Sequence, residues 1–170
     1  MLALAATLLS APAPAAEITA CFTPGEDCAS KIVTEIAVAK TTILLQAPAI
    51  TLPVFSIALA AAHARGVAVK VMLDRSSESL ASHSGATFLA AHGVLPLIDD
   101  KVESARNTVI IIDGKTVVTG SFALSAPPPK GASESLVIIK DDETLAQSYS
   151  DNFGKRAATA RPYGGRFRGL

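Results

Sequence analysis

Between Ala105 and Ala123 the chain gathers Arg106, Thr108, Asp113, Gly120 and Ser121 around one hairpin, with a carboxylate, Glu134, shortly after. Arg106 carries a planar guanidinium that can hold a phosphate or carboxylate through two parallel hydrogen bonds, or equally pair with Glu134. It stays protonated and its lone pairs are delocalised, so it is no nucleophile. Ser121 offers a hydroxyl to a phosphate oxygen. Asp113 precedes Gly114 between two apolar runs, which marks a hairpin turn whatever else the carboxylate does. Gly120 and Ser121 end a strand and also fit a plain chain turn. Glu134, opening the next strand, fits either a site carboxylate or a solvated strand end, and Asn107 fits a turn. The chemistry on offer is anion holding. His63, His83 and His92 each stand without a partner in sequence: His63 and His92 near helix ends, His83 in a polar loop.

These residues must be positioned by strands that alternate with helices. Cys28 to Lys40 places Ile32, Val33, Ile36 and Ala37 on one helical face, and Thr42–Ala47 is a short apolar strand stopped by Pro48. Ser56–Arg65 reads as an alanine-rich helix ended by Gly66, then Val67–Leu73 as a strand. A serine-rich loop over 74–84 leads to a short helix, Thr87–His92, and a strand, Val94–Ile98. Thr108–Ile112 and Thr116–Thr119 form the hairpin around Asp113-Gly114. Ser121–Gly131, with Pro127, Pro128 and Pro129 in a row, is irregular. Leu136–Ile139 is the last strand and Glu143–Phe153 a helix. The rest, Gly154–Leu170, is rich in glycine and arginine and reads as disordered. The pattern predicts a layered α/β fold with a mixed sheet.

The register Arg106-x-Thr108-x4-Asp113-x6-Gly120-Ser121-x-Ala123 resembles the signature of the phospholipase D superfamily: His-x-Lys, four residues, Asp, six residues, Gly-Ser-x-Asn. Cys21–Gly25, Thr42–Ala47, Arg65–Asp74 and Ala86–Leu89 look like its small bacterial Nuc-type endonuclease branch, so the resemblance runs from Cys21 to Phe153. It implies a layered α/β/α fold with a mixed, mostly parallel sheet and a phosphodiesterase mechanism. There a histidine attacks phosphorus, a second motif's histidine protonates the leaving group, and lysine and asparagine hold the phosphate oxygens. Two one-motif chains pair to complete the site, and no metal or cofactor is needed.

This chain departs from that pattern at the reacting groups. Arg106 stands at the histidine place, Thr108 at the lysine place and Ala123 at the asparagine place. Asp113, Gly120 and Ser121 match, and Glu134 stands where a family carboxylate orients the histidine. Pro48-Ala49-Ile50 replaces aromatic and hydroxyl residues of the family. The expectation is a domain with no intact catalytic residue. It retains a weak phosphate-binding site at Arg106 and Ser121, or serves as partner to a second copy or an intact homologue. Two alternatives stand beside it: an active nuclease or phospholipase using a non-standard residue such as His83, and a pure protein-interaction module.

Bulk properties frame this reading. The chain has 170 residues and is 49% apolar, with no tryptophan, so aliphatic side chains fill a single core. Formal charge is zero, but Lys155, Arg156, Arg161, Arg166 and Arg168 leave the body with ten basic against fifteen acidic residues. Such a body binds nucleic acid or anionic membrane only weakly, through the basic tail. Residues 1–16, uncharged and ending in small side chains, read as a secretory signal; 17–154 form the domain and 155–170 the disordered basic tail. Cys21 and Cys28, flanking Thr23-Pro24-Gly25, read as a local disulfide of a periplasmic or secreted protein. The other use of two cysteines, a metal clip, lacks neighbouring ligands.

Overall fold

The structure, a computed structural model, describes residues 15–80, 85–125 and 132–164. The expected signal sequence, residues 1–16, lies almost wholly outside the described residues, as do His83, the Pro127–Pro129 run, Arg166 and Arg168.

In chain order the elements are β1 (Glu17–Thr23), α1 (Cys28–Val38), β2 (Thr42–Ala47), α2 (Pro53–Ala64), β3 (Ala68–Asp74), a 3-10 turn (Arg75–Leu80), α3 (Gly85–Ala91), β4 (Leu97–Asp99), β5 (Thr108–Ile112), β6 (Thr116–Gly120), β7 (Glu134–Lys140), α4 (Glu143–Ala157) and β8 (Arg161–Pro162). Local chemistry sets the helix ends. The Asp27 carboxylate accepts the Ser30 N–H at 3.0 Å to start α1, and Asp142 accepts the Leu145 N–H at 2.9 Å to start α4. Pro53 occupies the first turn of α2, where its missing N–H costs nothing.

The strands form one sheet in the order β1-β7-β6-β5-β2-β3-β4-β8. Helices α1, α2 and α3 cover one face, burying Ile32, Ile36, Phe55, Leu59 and Leu89 against Ile43, Leu45, Ile110 and Val118. Helix α4 covers part of the other, its Ala146 packing on Val109, Ile111 and Val117. This is the expected α/β/α layering on a mixed sheet. The balance of directions differs from expectation: only β2–β3 and β3–β4 pair in parallel, and the other five neighbours are antiparallel. The reason is that the β5–β6 hairpin docks directly on β2 and continues into β7 and β1. A run of hairpin-linked strands can only be antiparallel.

Two elements have no counterpart in the sequence reading. Strand β1 alternates too weakly to announce itself, and exists because β7 supplies its hydrogen bonds along the whole register from Glu17–Lys140 to Thr23–Glu134. Its Cys21 is bonded to Cys28 at the start of α1 (S–S 2.01 Å). The second element corrects the expected disordered tail. Lys155 and Arg156 extend α4, Arg161 and Pro162 form β8 on β4, and Tyr163 is buried. Acidic residues hold it there. Arg161 grips Glu78 with two nitrogens and Asp100 with Nε at 3.0 Å, and Arg156 pairs with the buried Asp99. The tail carries no apolar periodicity, so its partners are visible only in three dimensions.

Candidate functional site

Strand pairing carries most of the motif to one end of the sheet. Thr108 lies opposite Gly120, Gly120 opposite Leu136, and Thr23 opposite Glu134. The starts of β5 and β7 therefore meet the ends of β6 and β1, and Arg106, Thr108, Gly120, Ser121, Ala123 and Glu134 share one region. Asp113 sits at the opposite end, in the β5–β6 turn at φ +52°. There its carboxylate accepts the backbone N–H groups of Lys40, Thr41 and Thr42 and the Thr41 hydroxyl. Burial pushes this carboxyl up, but those hydrogen bonds outweigh it and hold it below the ordinary aspartate value. Its place is structural, joining the hairpin to the start of β2.

At the motif end each side chain has a definite setting. Arg106 is exposed and makes no hydrogen bond or ion pair among the described residues, so the Arg106–Glu134 pair that the sequence allowed is not formed. Thr108 is buried, and its carbonyl accepts the Thr119 hydroxyl at 3.1 Å. Gly120 is required by close approach, since a Cβ there would stand 2.2 Å from the Ser135 carbonyl oxygen. The Ser121 hydroxyl accepts the Ser135 N–H at 3.0 Å, tying the turn to β7. Glu134 donates its N–H to the Thr23 hydroxyl at 3.0 Å, while its Oε2 is buried without a hydrogen-bond partner among the described residues.

The region beside Ala123 is apolar. Phe122 meets Phe55 edge to face with ring centroids 6.5 Å apart. The Leu124 carbonyl accepts the Thr51 and Leu52 N–H groups at 3.1 and 3.2 Å, and Ile50 is buried against Gly85. The Pro48–Ile50 segment thus contributes packing where the family pattern has polar side chains. His63 and His92 sit near the ends of α2 and α3, ahead of β3 and β4, at the far end of the sheet from the motif. His92 stacks on Phe88 and its Nδ1 lies 2.7 Å from the Phe88 carbonyl oxygen.

Asp74, at the junction of the Val67–Leu73 strand and the serine-rich loop, positions the motif. Its buried carboxylate accepts the Ala105 N–H at 2.7 Å and the Ser76 N–H at 2.8 Å, anchoring the chain just ahead of Arg106. Burial pushes this carboxyl up, while hydrogen bonds from Ser76 and Ala105 bring it below the ordinary value. The available signal was an aspartate closing an apolar strand, at the carboxyl end where α/β sheets place their sites.

Residues 32–157 match the family model described as cardiolipin synthase, PLD-like domain. This chain belongs to the phospholipase D superfamily. It is 38% identical over 144 residues to a phospholipase D of Rickettsia conorii, covering 84% of this chain and 70% of that protein. A phospholipase D of Rickettsia bellii is 37% identical over 143 residues. Among solved structures, the phospholipase D family member Nuc from Salmonella typhimurium superimposes with a TM-score of 0.80 at 28% identity, over 88% of this chain and 99% of that one. NucT from Helicobacter pylori, at 18% identity and a TM-score of 0.77, shares the fold. In this phospholipase D-like domain the Nuc-type scaffold is therefore present.

Proposed function

We propose that this is a non-catalytic phospholipase D-like domain, a phosphodiesterase scaffold without its covalent chemistry, exported to the periplasm or beyond. The observation that carries the reading is Arg106: exposed, without an ion pair among the described residues and unable to attack phosphorus, at the position matching the superfamily nucleophile. Thr108 adds no cation and Ala123 no amide, so a second copy repeats the same losses rather than repairing them. What remains is an exposed guanidinium at the motif end of the sheet, which suits weak binding of a phosphate-containing ligand. The partnerless Glu134 oxygen opposes tight anion binding there. The Cys21–Cys28 bond supports export, because such bonds persist in oxidising compartments.

Purified protein should hydrolyse neither single-stranded DNA nor bis-p-nitrophenyl phosphate above background. Inorganic phosphate should raise the melting temperature slightly, and Arg106→Ala should abolish that rise. Turnover that survives repurification and is lost in His83→Ala would overturn the reading in favour of a relocated nucleophile. A melting temperature indifferent to phosphate would favour the interaction-module alternative, for which the apolar packing of Ile50, Phe55, Phe122 and Leu124 is the supporting observation.

A further inference from the structure

A cavity lies on the α4 face of the sheet. Helix α4 leaves β3 and β4 partly uncovered, opening a cleft of about 530 Å³ lined by Leu44, Leu95, Leu97 and Phe153. Small-molecule sites commonly have this size and apolar character, with a few polar groups fixing orientation. The one charged side chain in the lining is Lys70, which is exposed and pairs with no carboxylate among the described residues. Asp99 on neighbouring β4 is already neutralised by Arg156. We propose that this cleft binds a free medium-chain fatty acid, with its alkyl chain along Leu44, Leu97 and Phe153 and its carboxylate on Lys70.

Gly154 also lines the cleft. A glycine within a helix is unfavourable relative to alanine, and a Cβ added at Gly154 would meet nothing within 4 Å. Among the described residues no contact requires glycine there, and the open space lies in the α4 wall of the cleft. Leu95, 57% exposed at the rim, is an apolar group that a bound alkyl chain would cover.

The test is calorimetric titration of the full chain with acetate, octanoate and decanoate below micelle-forming concentrations, beside flotation with phosphatidylglycerol vesicles. Saturable one-site binding is expected, undetectable for acetate and about tenfold tighter for decanoate than for octanoate, given the contribution of each buried methylene. Lys70→Ala should weaken decanoate binding about fivefold, as an exposed ion pair warrants, and Lys70→Arg should retain it. Gly154→Leu should fill the cleft and abolish binding. Should that variant fail to fold, Leu95→Asp, at an exposed site, should weaken binding instead. Absence of saturable binding, binding indifferent to both Lys70→Ala and the cleft variants, or vesicle capture without affinity for free fatty acid would each overturn the proposal.

Discussion

Asp113 shows how one side chain can belong to a catalytic signature and still act on the fold. Its carboxylate collects three backbone N–H groups and a hydroxyl from the Lys40–Thr42 segment, so the hairpin turn and the start of β2 are held by one group. Asp113→Ala should lower the unfolding free energy by about 2 kcal/mol, because several donors lose a charged acceptor at once. The pH dependence follows from the depressed carboxyl. The unfolded aspartate titrates near its ordinary value of 3.8, and the folded one below it. The stabilisation is therefore fully present above that ordinary value and is lost as pH falls through the folded one. Urea unfolding at neutral and acid pH should show Asp113→Ala losing less stability on acidification than the parent protein. A parallel loss in both would remove Asp113 from this role. Glu134 presents the opposite case, a carboxylate oxygen buried without a hydrogen-bond partner among the described residues.

At the scale of elements, the C-terminal segment behaves as a strap. Tyr163 donates its N–H to the Pro96 carbonyl at 2.8 Å, and its hydroxyl lies 2.9 Å from that of Thr87 on α3. Strand β8 and the Arg161 contacts to Glu78 and Asp100 thus tie α4 back to β4 and α3. Truncation after Ala160 should cost about 3 kcal/mol, mainly from the lost burial of Tyr163. Chemical denaturation of the truncated chain checks this, and an unchanged midpoint would show the strap to be dispensable. Arg161→Ala should cost less and be masked by salt, since its side chain is 43% exposed. The hydrogen bond from Arg161 holds the Glu78 carboxyl below its ordinary value, so this contribution too is lost as pH falls.

For the molecule as a whole, the question is whether the scaffold lacks only its reactive groups. Arg106→His, Thr108→Lys and Ala123→Asn together should restore measurable phosphodiesterase activity, whereas the histidine or lysine change alone should not. Nucleophile and phosphate-binding cation act as a unit, so their effects are strongly non-additive. Asp74 already holds the backbone ahead of position 106, Gly120 and Ser121 keep the turn against β7, and the Glu134 oxygen that lacks a partner among the described residues can accept a hydrogen bond from a returned imidazole. The assay belongs beside size-exclusion chromatography, because the superfamily resemblance implies that two one-motif chains share a site. A folded, dimeric and inactive triple variant would place the damage in the apolar Pro48–Ile50 segment and favour the interaction module.

By itself the sequence determined the helices and central strands, the Asp113-Gly114 turn, the Cys21–Cys28 bond and the superfamily register. Each rests on near neighbours in the chain: apolar periodicity, a turn dipeptide, a short loop between two cysteines, or fixed motif spacing. Tertiary structure decided the rest. Whether Arg106 would pair with Glu134 depended on side-chain placement across β5, β6 and β7, and the guanidinium pairs with no carboxylate among the described residues. The role of Asp74 depended on Ala105, 31 residues away. Strand β1 depended on hydrogen bonds from β7, more than a hundred residues later. The ordering of Arg156 and Arg161 depended on acidic residues of β4 and its neighbours. Local patterns record the energy a segment gains from its own turn or pleat, whereas these contacts exist only once loop closure has brought distant partners together.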